Sequence, residues 1–69
     1  MIAPHQQRVI DEKAELDARR ERLLAFIVDS EIYTSLDSKE KTRLRRQLLA
    51  MNAYSYALGD RIEAFESAQ

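Results

Sequence analysis

The residues whose types and spacing best suit recognition chemistry are five cations crowded between positions 39 and 46: Lys39, Lys41, Arg43, Arg45 and Arg46. Within that stretch only Glu40 opposes them. Such a cluster suits an acidic protein surface or a phosphate backbone. It falls where a helix should begin, and there the helix dipole disfavours positive charge by a few tenths of a kcal/mol. The plainer reading is neutralisation within the chain by Asp29, Glu31, Asp37 and Glu40 at the same end of the molecule. From residue 29 to 37 the only charges are Asp29, Glu31 and Asp37, so an acidic block precedes the basic one. Tyr33, Tyr54 and Tyr56 add side chains common at interfaces, because tyrosine joins apolar area to a polar tip. Tyr54 and Tyr56, two apart on a helix, cannot share a groove. Tyr33 suits a partner contact and a lid on the core equally.

The remaining reactive groups point away from catalysis. His5 is the only histidine and reads as a solvated surface residue. Asp11, Glu12, Glu15 and Asp17 superficially suggest a di-metal bundle site, but that chemistry needs glutamates on several helices and Glu-x-x-His pairs. They read instead as surface charge pairing. Serine, threonine and tyrosine hydroxyls lack a base and an orienting partner, and no glycine-rich phosphate loop is present. No enzyme activity, cofactor or metal is expected.

Two long amphipathic helices must position these groups. Ile2, Val9, Leu16 and Leu23 recur every seven residues, widened by Ile10, Leu24 and Ile27, and Pro4 is tolerated in a first turn. This predicts a helix over about residues 4–28. Asp29 and Ser30 break the pattern, leaving a turn over about 29–37 in which Ile32, Tyr33 and Leu36 can lid one end, with room for a single helical turn. Asp37 is the expected cap of the next helix, with Glu40 reaching back in a capping box. Leu44, Leu48, Met51, Ser55, Leu58, Ile62 and Phe65 then alternate four and three apart, predicting a helix over about 38–66 with one polar seam member, Ser55. Gly59 inside it suggests that a neighbouring helix approaches closely. Folded back as an antiparallel hairpin, the rows align Leu23 with Leu44, Leu16 with Met51, Val9 with Leu58 and Ile2 with Phe65, a register free to slip by several residues. Ile10, Leu24, Leu49 and Tyr56 fall to the side of that seam. Two hairpins packed about a two-fold axis would cover them, so an all-α homodimeric four-helix bundle is expected.

Composition agrees. The chain has 69 residues, a net charge of −1, one glycine, one proline and no cysteine. That excludes sandwiches and barrels, disulfide frameworks and thiolate sites, and argues against a general nucleic-acid binder. No apolar run approaches a membrane span, so no membrane insertion is expected. Residues Met1 to Arg8 lack the layout of a signal peptide, and a cytosolic protein of one domain, residues 1–69, is the expectation.

The run His5-Gln6-Gln7-Arg8-Val9-Ile10-Asp11-Glu12-Lys13-Ala14-Glu15-Leu16-Asp17, followed by Leu23, Phe26-Ile27, Gln47, Met51, Tyr54, Leu58 and Arg61-Ile62, resembles a family of small tailed-phage proteins that includes the anti-quorum-sensing anti-activators of temperate Pseudomonas phages. The resemblance spans most of the chain as a degenerate helical pattern, with no invariant site. It implies a dimerising two-helix protomer that works in the host bacterial cytoplasm by binding host proteins. The implied targets are the DNA-binding domain of the quorum-sensing regulator LasR and the pilus assembly ATPase PilB. The shared residues Glu12, Lys13, Asp17, Tyr54 and Arg61 could alternatively form a polar network between the helices that fixes register.

The expectation is thus a phage-encoded, non-enzymatic inhibitor acting by occlusion. Candidate partner-binding residues are Lys39, Lys41, Arg43, Arg45, Arg46, Tyr33, Asp29, Glu31 and Asp37. Candidate core and dimer residues are Val9, Leu16, Leu23, Ile27, Leu44, Leu48, Met51, Leu58, Ile62 and Phe65. The rival readings are a nucleic-acid-binding dimer using the Lys39–Arg46 ridge, and a phage structural or assembly adaptor.

Overall fold

A computed structural model describes residues 2–67. Three helices follow one another: α1 (Pro4–Asp29), α2 (Glu31–Ser35) and α3 (Ser38–Ser67). Pro4 opens α1, where its missing N–H would have had no intrahelical partner, and the Gln6 side-chain carbonyl accepts a hydrogen bond from the Ala3 N–H at 3.0 Å. α1 and α3 pack against each other as an antiparallel hairpin, a rod with extents of 49 × 15 × 14 Å.

The bend is more ordered than a plain turn. Ser30 adopts an extended conformation that ends α1, and its hydroxyl accepts from the Ile32 N–H at 3.1 Å, so the same residue caps the next helix. That cap gives the apolar pair Ile32 and Tyr33 a full helical turn, which the break at Asp29 and Ser30 only permitted. Leu36, again extended, closes α2. Asp37 then accepts from the Glu40 N–H at 2.9 Å. The other half of the expected capping box is not made, because the Glu40 carboxylate turns forward to the Arg43 Nε at 2.7 Å. A neighbouring guanidinium one turn ahead outcompetes a backbone N–H for that charge.

The core is narrow. Val9, Leu16 and Leu58 are buried, with Met51, Ile62 and Phe65 packed against them, while Leu23, Ile27, Leu44 and Leu48 are half-buried. Leu16 and Leu58 share this cluster, and the short side chains of Asp17 and Ser55 meet across the helices. In the expected register Ala50 would face Asp17. The hairpin is therefore displaced by five residues from that register: Asp17 meets Ser55 instead of Ala50, and Arg20 meets Asn52 instead of Gln47. The connector explains the displacement: α2 takes up axial length at the bend, so the first turns of α3 lie beside it.

The accessible surface is 5280 Å² for 8.0 kDa, against about 4,450 Å² for a compact chain of that mass. Part of the excess is apolar. Leu24, Leu49 and Tyr56 are exposed, as their place beside the seam requires, and Tyr54 is exposed on the opposite flank of α3. No helix among the described residues is long and apolar enough to cross a membrane.

Candidate functional site

Charged side chains collect in two places, the middle of the hairpin and its bend. In the middle, Asp17 is the hub. Its Oδ2 accepts from the Lys13 Nζ at 2.7 Å, and its Oδ1 accepts from the Ser55 hydroxyl across the helix interface at 2.5 Å. One turn on, Arg20 donates to the Asn52 side-chain carbonyl at 2.8 Å, while its buried Nε lies 3.5 Å from the Asp17 Oδ1. The Lys13 stem crosses Gly59, where an added Cβ would stand 3.3 Å from the Lys13 Cε and within 4 Å of no other atom of α1, so the glycine makes room for that side chain and not for a close approach of the helix backbone. The hydrogen bond from Lys13, then that from Ser55, holds the Asp17 carboxyl below its ordinary value; partial burial opposes this and the cationic charges of Lys13 and Arg20 add to it.

This network is polar and joins the helices, but its membership differs from the one the family pattern suggested. Lys13 and Asp17 take part, whereas Glu12, Tyr54 and Arg61 are exposed. Sequence reasoning passed over Arg20 and Asn52, and treated Asp17 as one of a surface carboxylate group. The available signal was Ser55, since a lone polar residue in an apolar seam requires a partner. Asp11, Glu12 and Glu15 are exposed, and no metal-binding group of His, Cys, Asp and Glu occurs among the described residues.

At the bend the five cations divide into two sets. Arg45 and Lys41 turn to Tyr33: the Arg45 guanidinium donates to the Tyr33 hydroxyl at 3.0 Å, and the Lys41 Nζ stands 5.6 Å from the ring centroid. Tyr33 is itself buried and meets Phe26 edge-on, with centroids 6.0 Å apart. The aromatic residue of α2 thus lids the end of the hairpin, and two cations fasten the lid. Lys39, Arg43 and Arg46 face outward instead, lining a shallow groove with Ser38 and Thr42. Neutralisation by the acidic block is largely absent. Asp37 is occupied as a helix cap, Asp29 and Glu31 make no ion pair among the described residues, and only Glu40 pairs with a cation of the cluster, Arg43. Asp29 and Glu31 are exposed beside Val28 and Ile32, which are 67% and 66% exposed. The bend therefore presents an acidic, partly apolar edge and, on α3, a basic groove.

A family model described as Sequestin matches residues 3–64. No curated protein and no solved structure matches the chain. The match covers nearly the whole chain, including both helices and the bend, and the chain belongs to the Sequestin family, a family of phage anti-quorum-sensing proteins that sequester host proteins.

Proposed function

We propose that this Sequestin is a non-enzymatic inhibitor that works in the host cytoplasm by covering functional surfaces of host proteins. The DNA-binding domain of LasR and the ATPase PilB are the targets that the sequence resemblance implies. The observation that carries this reading is the acidic, apolar edge at the bend, where Val28 and Ile32 stand exposed beside Asp29 and Glu31. A DNA-binding domain presents a basic surface to its operator, and an acidic edge with apolar side chains is its complement. A ligand seated there would compete directly with DNA.

The active species in this proposal is a homodimer. A single hairpin leaves Leu24, Leu49 and Tyr56 in water on one flank, and a second copy packed over that flank would remove much of the excess surface. A dimer would also display the acidic edge twice, matching a regulator that binds as a two-fold pair.

The test is displacement of operator DNA from purified LasR DNA-binding domain by the intact chain, followed by fluorescence anisotropy. Stoichiometric displacement is expected, with the Asp29→Lys, Glu31→Lys variant weakened about tenfold, which corresponds to about 1.4 kcal/mol. No displacement at a large excess of a folded dimer would refute the LasR assignment. Parallel titration of purified PilB tests the second target.

A further inference from the structure

We propose that the groove lined by Ser38, Lys39, Thr42, Arg43 and Arg46 is a second docking surface, distinct from the acidic edge and fitted to an acidic segment of a partner protein. Lys39, Thr42, Arg43 and Arg46 follow one another three or four apart, or in adjacent rows, and so share one face of α3. Lys39 and Arg46 are exposed and make no ion pair among the described residues. Arg43 is held by Glu40 through its Nε at 2.7 Å, yet its side chain is 61% exposed, so the rest of its fork still faces outward.

Stability does not explain these cations. Lys39 lies in the first turn of a 30-residue helix, at the positive end of its dipole, and Arg43 follows one turn later. Lys41 and Arg45 have an internal task on Tyr33; Lys39 and Arg46 do not. Glu40, on Arg43, is the one carboxylate that pairs with a cation of the groove among the described residues, so the charge left there favours an anion. Carboxylates fit the arginines in paired hydrogen bonds.

Nucleic acid is the poorer match. From Lys39 to Arg46 the face runs about 10 Å at 1.5 Å per residue, which permits contact with only a few phosphates and hence weak, strongly salt-dependent binding. The chain also carries a net charge of −1, with exposed Asp60, Glu63 and Glu66 toward the far end of α3. Choosing a protein as the partner rests on the sequestering role proposed above, whereas the groove and its charge do not.

The experiment is fluorescence anisotropy of a labelled short polyglutamate peptide, with duplex DNA as a second probe, against the intact chain at low and physiological salt. Three proteins are compared: wild type, Lys39→Glu with Arg43→Glu and Arg46→Glu, and a charge-matched control with Arg8→Glu, Arg19→Glu and Arg22→Glu on α1. Circular dichroism checks each fold, and Lys39→Gln with Arg46→Gln serves if the triple reversal unfolds. The groove variant is expected to lose about tenfold or more in peptide affinity, and the control less than about twofold. Equal loss in both variants, or no peptide binding by wild type, would overturn the proposal. Tighter binding of duplex DNA through the same residues would replace it with a nucleic-acid surface. Because the probe is a peptide, failure on LasR and failure here are read separately.

Discussion

The middle of the hairpin and the outer side of its bend hold the same kinds of residue in opposite circumstances. In the middle, Lys13, Asp17 and Arg20 are each more than half withdrawn from solvent, bonded to one another and tied to Ser55 and Asn52 on the other helix. On the outer bend, Lys39, Arg43 and Arg46 stand in solvent around a groove, and Glu40 pairs with only one of them. Charge in the first place joins two helices, since charges partly withdrawn from water cost less when they are paired and hydrogen-bonded. Charge in the second place makes one ion pair within its own helix, Glu40 with Arg43, and otherwise stands in solvent. The difference is set by rotation about a helix axis: Asp17 follows the buried Leu16 at the edge of the seam, whereas Lys39 and Arg46 point away from α1.

The comparison can be broken in three ways, beginning with the largest expected effect. Leu58 is 2% exposed and Leu49 is 66% exposed on the same helix. Leu58→Ala should cost about 3 kcal/mol in chemical denaturation, as buried leucine truncations do. Because an interface between copies would cover Leu49, Leu49→Ala should instead show its cost as a concentration-dependent loss of dimer. An equal, concentration-independent loss from both would mean that the seam has been assigned to the wrong face.

Next, Asp17→Asn should cost about 1 kcal/mol at neutral pH, because it removes the charge from two short hydrogen bonds while some solvent access limits the effect. The pH dependence follows from the lowered carboxyl of Asp17. A group with a depressed folded value stabilises the fold above its unfolded value near 3.9, and that stabilisation is lost as pH falls through the folded value. The gap between wild type and Asp17→Asn in thermal melts should therefore be constant above about pH 5 and close as the pH drops below about 4. A gap that persists in strong acid would show that geometry, rather than ionisation, carries the contribution.

The smallest effect has the opposite sign. Lys39→Glu with Arg46→Glu should leave stability unchanged or raise it by a few tenths of a kcal/mol, since the Lys39 exchange places a favourable charge at a helix start. Destabilisation by as much as Asp17→Asn would erase the distinction between the two regions and make the outer cations structural.

Much of this was legible in the chain. The sevenfold recurrence through Val9, Leu16 and Leu23, and the alternating spacing from Leu44 to Phe65, indicated both long helices and their apolar faces, because helical periodicity is a local property of sequence. Asp37 was readable as a cap for the same reason. The bend was read less fully, since a break at Asp29 and Ser30 does not by itself reveal that the Ser30 hydroxyl will cap a further helix. The division of the basic cluster was not legible at all. Five cations within eight positions look alike in sequence, and it is the position of Tyr33 over the hairpin end that draws Arg45 and Lys41 inward.

The sequence by itself thus determined that this protein is helical, that it folds back once, and which residues form its apolar seam. Only the tertiary structure decided which residues of α3 face which residues of α1. Apolar residues recur every three or four positions along the seam of α3, so the apolar rows tolerate a slip of a few residues. The choice falls to groups that cannot be satisfied twice: Asp17 needs Ser55, Arg20 needs Asn52, and α2 needs room at the bend. Apolar burial is tolerant of such a shift because it has no direction, whereas hydrogen bonds between particular atoms are not.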